Sequence, residues 1–264
     1  MYAIGEEEIK AVRRVIESRQ LFRYRGGEGG ECDQFEAEFA AKIGCRQALA
    51  LTSGTAALTC ALAGMGIGPG DDVIVPAYTF MATPLAVLAV GAVPVIAEVD
   101  ESLTIDPADL ERRITSRTKA VIPVHMLGLP CDMGRVLSVT RRRKVRVLED
   151  ACQAVGGSYR GRRLGSIGHA GAFSFNHFKI ITCGEGGAVV TNDTRIYHGA
   201  LIHHDGGCSF RRHAGEMVVP IFAGLNFRVS EIQGAILRVQ LRRLDGILAD
   251  LRRIQRHTVS IDSA

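Results

Sequence analysis

Short apolar runs alternate with stretches of helical spacing through the N-terminal part of this sequence, and this alternation constrains the fold most strongly. Each run is rich in Val, Ile, Leu or Ala, and most are bounded by Gly, Pro or Asp. Strands that alternate with helices in this way form parallel sheets with both faces covered. The runs are residues 48–51, 72–75, 94–97, 120–124 and 145–148. The helical stretches are residues 6–18, 33–43, 55–65, 80–90, 107–114 and 133–142.

The pattern changes after Gly171. Residues 172–175 and 188–191 predict two strands, with a Gly-rich turn before the second. Residues 230–257 carry apolar side chains at helical spacing, which predicts one long amphipathic helix. We therefore expect an α/β fold with a mostly parallel central sheet and helices on both faces.

The composition argues against several classes of protein. A net charge of +4, no Trp and 6% aromatic residues do not suit nucleic-acid binding. The apolar stretch 84–97 is interrupted by Gly91 and Pro94 and is too short to span a membrane. Seven scattered cysteines without a CxxC pair, and a charged N-terminus without a secretory signal, predict a reduced protein in the cytoplasm.

The first candidate site is the segment 51–58, where a strand ends and a helix begins after small residues. Free N–H groups at such a helix start bind anions, and Gly54 lets an anion approach the backbone. The hydroxyl of Ser53 or Thr55 could add a hydrogen bond. The alternative is that a Ser or Thr only caps the helix.

The second candidate is Asp150, which follows a predicted strand. Ligands of open α/β sheets lie at the carboxyl ends of strands. A carboxylate in that position needs a partner, and a protonated ring nitrogen is a suitable one. Alternatively, Asp150 caps a following helix.

The third candidate is Lys179, which stands among Phe178, Ile180 and Ile181. Apolar surroundings lower the pKa of a lysine, and a Schiff-base lysine needs a lowered pKa. The glycines that follow allow close approach of a flat ligand. Alternatively, Lys179 extends to solvent from a strand edge. Together, an anion site, a carboxylate and such a lysine are what pyridoxal 5′-phosphate (PLP) requires.

Six motifs make the sequence resemble the DegT/StrS family of sugar aminotransferases, which have the aspartate-aminotransferase fold (fold type I). The resemblance extends from about Gly5 to Ile254. The motifs are SGTAAL at 53–58, PAYTFMAT at 76–83, PVHM at 123–126, EDACQ at 149–153, the segment 173–187 with Lys179, and GLNFR at 224–228. The resemblance implies a PLP-binding large domain over residues 21–229, preceded by a helical segment, 1–20.

The resemblance also implies a role for each site residue. Lys179 would bind the cofactor covalently, and Asp150 would hold its ring nitrogen protonated. Phe80 would stack on the ring, unless it is a core phenylalanine. Gln153 would contact the ring hydroxyl or stack nearby. The residues implied to hold the phosphate are Gly54, Thr55 and Ser174.

Asn226 is implied to reach the cofactor phosphate of a partner subunit, unless it is an ordinary turn asparagine. This implies a homodimer with shared active sites. The reaction implied is a ping-pong transfer of an amino group from L-glutamate or L-glutamine to a keto sugar, with Lys179 as general base and then acid.

Residues 21–24, 100–107, 182–187 and 203–205 are most similar to a subgroup that includes 8-amino-3,8-dideoxy-octulosonate transaminases, and nucleotide-sugar and inosose transaminases are alternatives. Mixed ligand types and irregular spacing disfavour a metal site, and a loop near the substrate is expected instead. The residues of that stretch are His203, His204, Asp205, Cys208 and His213.

The helix over 230–264 is expected to lead to a small C-terminal domain that is largely absent. A second function is therefore a non-catalytic PLP-binding partner of a full-length relative. A third is a sugar dehydratase of the same family, and Lys179 argues against it because such dehydratases carry His in place of this lysine.

Overall fold

A mixed seven-stranded sheet forms the middle of the structure, a computed structural model that describes residues 4–24, 29–208 and 217–262, with side chains to residue 255. The strands are β1 (Gln47–Leu51), β2 (Asp72–Pro76), β3 (Val93–Ala97), β4 (Thr118–Val121), β5 (Arg146–Asp150), β8 (Ala170–Ser174) and β9 (Gly187–Thr191), with β6 (Ser158–Tyr159) and β7 (Arg162–Arg163) in a separate hairpin. The helices are α1 (Glu6–Ser18), α2 (Glu31–Ile43), α3 (Gly54–Gly64), α4 (Ala82–Ala89), α5 (Pro107–Arg113), α6 (Met133–Arg143), α7 (Thr194–His204) and α8 (Glu231–Asp262).

The strand order is β1-β9-β8-β5-β4-β2-β3, and β9 is antiparallel to both of its neighbours. All other neighbouring pairs are parallel. The prediction of a mostly parallel sheet is therefore confirmed. The reversal at β9 has a local cause, because a parallel return requires a crossover, usually a helix, and residues 175–186 contain none.

Helices cover both faces of the sheet, as predicted. On one face α2, α6 and α8 bury apolar side chains, including a cluster of rings 5.0–5.5 Å apart. That cluster consists of Phe35, Phe39, Phe173 and Phe175. The other face is covered by α3, α4 and α7. Because every strand of this sheet except β3 contributes buried side chains to both layers, the sheet holds both cores in register.

The N-terminal helix packs on the long C-terminal helix rather than on the sheet. Ala11 and Val15 of α1 meet Ala235 and Val239 of α8 in a small apolar cluster. At the edge of this cluster, Glu8 Oε1 accepts hydrogen bonds from the side chains of Gln240 and Arg243, both at 2.8 Å.

Helix α7 was not predicted, and the expectation of a loop at His203 and His204 is wrong. Asp193 caps this helix, because its side chain accepts a hydrogen bond from Arg195 N. The helix packs closely on α3, where a Cβ atom on Gly199 would lie 2.7 Å from Gly64 Cα. The packing partner is remote in sequence, which explains why local spacing did not reveal α7.

We expect Phe39→Ala to lower the free energy of unfolding by about 3–5 kcal/mol, because it empties the centre of the ring cluster. The exposed Ile9→Ala on α1 is the control and should change stability by no more than about 0.5 kcal/mol. Chemical denaturation followed by circular dichroism measures both. Equal effects of the two substitutions would contradict the proposed core.

Candidate functional site

The candidate site lies where β1, β5 and β8 end, at one edge of the sheet. These three strands are parallel to one another through the pairings described above. Their carboxyl ends therefore meet, and the polar residues that follow them converge.

Gly54 lies at the point of closest convergence. A Cβ atom on Gly54 would lie 2.8 Å from Cys152 Sγ and 2.9 Å from Ser174 Cβ. Ser174 is buried at the end of β8. A side chain at position 54 would therefore fill the space between the three strand ends.

Helix α3 begins at Gly54, with Ser53 as its N-cap. The Ser53 hydroxyl accepts a hydrogen bond from Ala56 N at 3.0 Å, which confirms the capping interpretation for this residue. The first N–H groups of a helix have no acceptor within it, so the amides of Gly54 and Thr55 remain for another acceptor. The Thr55 side chain is exposed beside them. Capping and anion binding are therefore compatible here.

Asp150 is the last residue of β5, and the residue is 5% exposed. Its Oδ1 accepts a hydrogen bond from Cys152 N at 3.1 Å, and its Oδ2 accepts one from the Thr83 hydroxyl at 2.8 Å. Residues 151–157 form turns, so the alternative that Asp150 caps a helix is wrong.

Lys179 lies in the connection between β8 and β9, where its amide donates to Asn176 O at 2.9 Å. It is half-buried and not part of a strand, so the strand-edge alternative is wrong. Of its apolar neighbours, Ile181 is buried but Phe178 is 83% exposed.

The pKa of the Cys152 thiol depends on the charges of both Asp150 and Lys179. Burial raises the pKa of this thiol well above its usual value, and the Asp150 carboxylate raises it further. The Lys179 ammonium acts in the opposite direction. Lys179 is therefore within electrostatic reach of the thiol that also contacts Gly54.

Phe80 and Gln153 lie on neighbouring segments. Phe80 precedes α4 and is 66% exposed, so the alternative of a core phenylalanine is wrong. Gln153 is half-buried, and its Oε1 accepts a hydrogen bond from Leu127 N at 3.2 Å. Phe80 follows β2 and Gln153 follows β5, and these two strands run in the same direction and end at the same edge of the sheet.

Asn226 is exposed on a segment that runs beside the end of α7. It forms a β-bridge with Asp205, and its Oδ1 accepts a hydrogen bond from Arg228 N at 3.2 Å. The next residue, Phe227, accepts a hydrogen bond from Thr52 N at 3.2 Å. This segment is therefore attached to the turn that carries Gly54.

Sequence reasoning assigned no role to His125 and Glu149, a buried hydrogen-bonded pair behind the site. Glu149 Oε2 lies 3.0 Å from His125 Nε2 and accepts a hydrogen bond from Gly165 N. Glu149 Oε1 accepts from the amides of Ile167 and Gly168 at 2.6 Å. Only the folded chain reveals these contacts, because they join residues 16 to 24 positions apart.

The described residues contain no group of three potential metal ligands. Asp205 is instead 2.7 Å from the Arg228 guanidinium. His213, one of the residues weighed for a metal site, lies outside the described residues. In the same described ranges, no helix has the length and apolarity needed to cross a membrane.

The mostly parallel sheet with its polar strand ends defines the class of α/β transferases that have the fold of PLP-dependent aminotransferases, an architecture shared with solved aminotransferases. Within that class, the chain belongs to the DegT/DnrJ/EryC1/StrS aminotransferase family, whose model matches residues 2–259. The resemblance inferred from the motifs is thereby confirmed.

Two curated relatives show what the chain is similar to. It is 44% identical over 222 residues to GDP-perosamine synthase of Caulobacter vibrioides, covering 84% of this chain and 59% of that protein. It is 42% identical over 241 residues to dTDP-3-amino-3,4,6-trideoxy-alpha-D-glucose transaminase of Streptomyces venezuelae, covering 90% and 62%. The chain thus spans about three fifths of the length of these relatives.

A solved structure with a cofactor is also similar. GDP-4-keto-6-deoxy-D-mannose-3-dehydratase of E. coli, with bound hydrated PLP, is 27% identical and superimposes with a TM-score of 0.82. The match covers 93% of this chain and 67% of that one.

We expect Gly54→Ala to lower the free energy of unfolding by about 1–3 kcal/mol, because the new methyl group overlaps Cys152 and Ser174. Adding Cys152→Ala should restore part of the loss, since it removes the Sγ atom. The control is Gly246→Ala on α8, where a Cβ atom meets nothing within 4 Å. That substitution should stabilise the helix by about 0.5–1 kcal/mol. A stable Gly54→Ala variant would show that the strand ends do not converge as described.

Proposed function

We propose that this chain carries the cofactor site of a PLP-dependent sugar aminotransferase, which moves an amino group from L-glutamate or L-glutamine to a keto sugar. The observation that carries the proposal is the packing of Gly54 against Cys152, whose amide donates a hydrogen bond to Asp150. The segment that bears Lys179 begins at the neighbouring strand end, after Ser174, and the charge of Lys179 lowers the pKa of the Cys152 thiol. Membership of the aminotransferase family supports the same chemistry.

The residues at the start of α3 fit the phosphate of PLP. The amides of Gly54 and Thr55 would donate hydrogen bonds to it, and the hydroxyls of Thr55 and Ser174 would add two more. The positive end of the helix dipole favours a dianion at this position. The lack of a side chain at Gly54 leaves room for the oxygen atoms.

Asp150 fits the ring nitrogen. An ionised carboxylate has about four acceptor positions, and the two hydrogen bonds to Asp150 leave others for a cationic N–H group. We place Phe80 on the ring face and Gln153 near the ring hydroxyl, because both lie on segments beside Asp150.

Lys179 would hold and move the proton. When bound, PLP supplies an electron sink and a carrier for the amino group. The amine of Lys179 would anchor the cofactor, take the proton from the donor Cα and return it as a general acid. A single site would then serve donor and acceptor in turn, which predicts ping-pong kinetics.

We further propose a homodimer in which Asn226 reaches the phosphate site of the partner. Asn226 is exposed, and large apolar side chains are exposed on the loops around the site. These are Phe80, Met81, Leu127, Phe178 and Leu225. Exposed apolar groups of this kind favour association. The seven cysteines are free, which supports a location in the cytoplasm.

For the acceptor, we propose a keto sugar and would test nucleotide-linked sugars first. The two curated relatives are named for GDP- and dTDP-linked sugars. An octulosonate is the second class to test, on the motif similarity described above. The competing function is a non-catalytic PLP-binding partner of a full-length relative, and retention of both Lys179 and Asp150 favours catalysis.

We expect the purified chain to take up PLP with a visible absorption band, and borohydride to fix the cofactor on Lys179. L-Glutamate should bleach the band in a single turnover. Lys179→Ala should abolish fixation and slow the transfer by about 10²–10⁴-fold, because it removes the proton carrier. Peptide mass mapping and stopped-flow absorbance measure these effects, with Lys10→Ala on the exposed face of α1 as the control. Uptake of PLP without bleaching would favour the non-catalytic partner.

Mixing two weakly active variants tests whether each active site contains residues of both subunits. We expect Lys179→Ala and Asn226→Ala to be weakly active alone and to regain activity when their subunits are exchanged. A mixed dimer then has one site with both an intact Lys179 and an intact Asn226 from the other subunit. No gain on mixing, with exchange verified by mass spectrometry, would place Asn226 in the site of its own subunit.

A further inference from the structure

We propose that Thr83 is a positioning residue that holds the Asp150 carboxylate for the cofactor ring nitrogen, with Thr79 as its support. The inference rests on the proposed function, because it concerns the residues that would bind the ring nitrogen of PLP. The supporting observation is a series of hydrogen bonds from Thr79 through Thr83 to Asp150, which the sequence did not predict.

The hydrogen bonds have one consistent direction. An ionised carboxylate only accepts, so the Thr83 hydroxyl donates its single hydrogen to Asp150 Oδ2 over 2.8 Å. Thr79 Oγ1 lies 2.7 Å from Thr83 Oγ1. Thr79 is therefore the donor in that pair, whose 2.7 Å distance is shorter than the 3.3 Å from Thr79 Oγ1 to its other acceptor, Phe80 O. The two hydroxyls then point in series toward the carboxylate.

Thr83 uses its hydroxyl differently from other buried threonines in helices. Thr59 and Thr140 donate to the carbonyls four residues before them, Thr55 and Val136, both at 2.9 Å. That local bond is the usual one for a helical threonine. Thr83 is fully buried and instead reaches a carboxylate 67 residues away in sequence.

The consequence is a carboxylate fixed at both oxygen atoms. Cys152 N holds Oδ1 and Thr83 holds Oδ2, so rotation of the group would break one of the two bonds. Hydrogen bonds to a charged acceptor are about twice as strong as neutral ones. The remaining acceptor positions of Asp150 then face a fixed direction.

The same hydroxyl chain attaches the loop before α4 to strand β5. Phe80 stands between Thr79 and Thr83 in this loop. The proposed ring-stacking residue and the proposed ring-nitrogen partner are therefore located relative to each other by two hydrogen bonds.

The test compares two cofactors on matched variants. One is PLP, and the other is its 1-deaza analogue, which has a C–H group in place of the ring nitrogen. The variants are Thr83→Val, which keeps the shape but loses the hydroxyl, and Thr83→Ser, which keeps the hydroxyl. Thr140→Val is the control for a buried threonine elsewhere, and Thr79→Val removes only the supporting hydroxyl. Dissociation constants come from absorbance titration.

We expect wild type to bind PLP more tightly than the analogue. Thr83→Val should weaken binding of PLP by about tenfold or more but leave binding of the analogue nearly unchanged, because the hydroxyl acts through the nitrogen contact. Thr83→Ser and Thr140→Val should keep the preference of wild type. Thr79→Val should reduce it in the same direction but by less, and it provides the answer if Thr83→Val does not fold.

Several results would overturn the inference. Equal weakening of both cofactors would assign Thr83 a purely structural role, and an unchanged preference in Thr83→Val would assign it none. Either result leaves the proposed function intact if borohydride still fixes PLP on Lys179 of wild type. If wild type does not take up PLP, the proposed function fails and this inference fails with it.

Discussion

The ends of β1, β5 and β8 pack closely together, and the candidate site residues take their positions from this packing. Gly54 fits between Cys152 and Ser174 only because it lacks a side chain, and Gly187 approaches the Ser53–Gly54 peptide just as closely from β9. The two apolar layers hold these strands in register from either side. The same strands therefore determine both the stability of the core and the geometry of the site. Glycines at positions 54 and 187 allow their backbones to approach this closely.

Glu149 and Asp150 are adjacent on β5, but their carboxylates have different surroundings. Successive side chains of a strand point to opposite faces. Glu149 is fully buried and meets three backbone amides and His125, so its capacity for hydrogen bonds is used within the protein. Because His125 Nδ1 accepts from Cys131 N, the hydrogen lies on Nε2 and points at Glu149. Asp150 accepts hydrogen bonds from the Thr83 hydroxyl and the Cys152 amide. Alternation thus gives one carboxylate a structural environment and leaves its neighbour able to bind a cation.

The sequence predicted the parts of the site that follow from strand position. Gly54, Asp150 and Lys179 follow apolar runs within two to four residues, and parallel topology brings the ends of such runs together. The sequence did not predict the hydrogen bond between Thr83 and Asp150. These residues are 67 positions apart, so no local sequence pattern indicates their contact. The reversal of β9 was missed for a related reason, since strand direction depends on whether the connection contains a helix.

The antiparallel pairing of β8 and β9 restricts the length of the connection between them. Ser174 pairs with Gly187, so the connection that bears Lys179 begins and ends at the same rung of the ladder. One residue gained or lost in that connection would displace the lysine, and a slip of the ladder would exchange the two faces of β8. Loops at the opposite edge of the sheet carry no such restriction. Length variation during divergence should therefore accumulate at that opposite edge, while residues 175–186 keep their number even as their identities change.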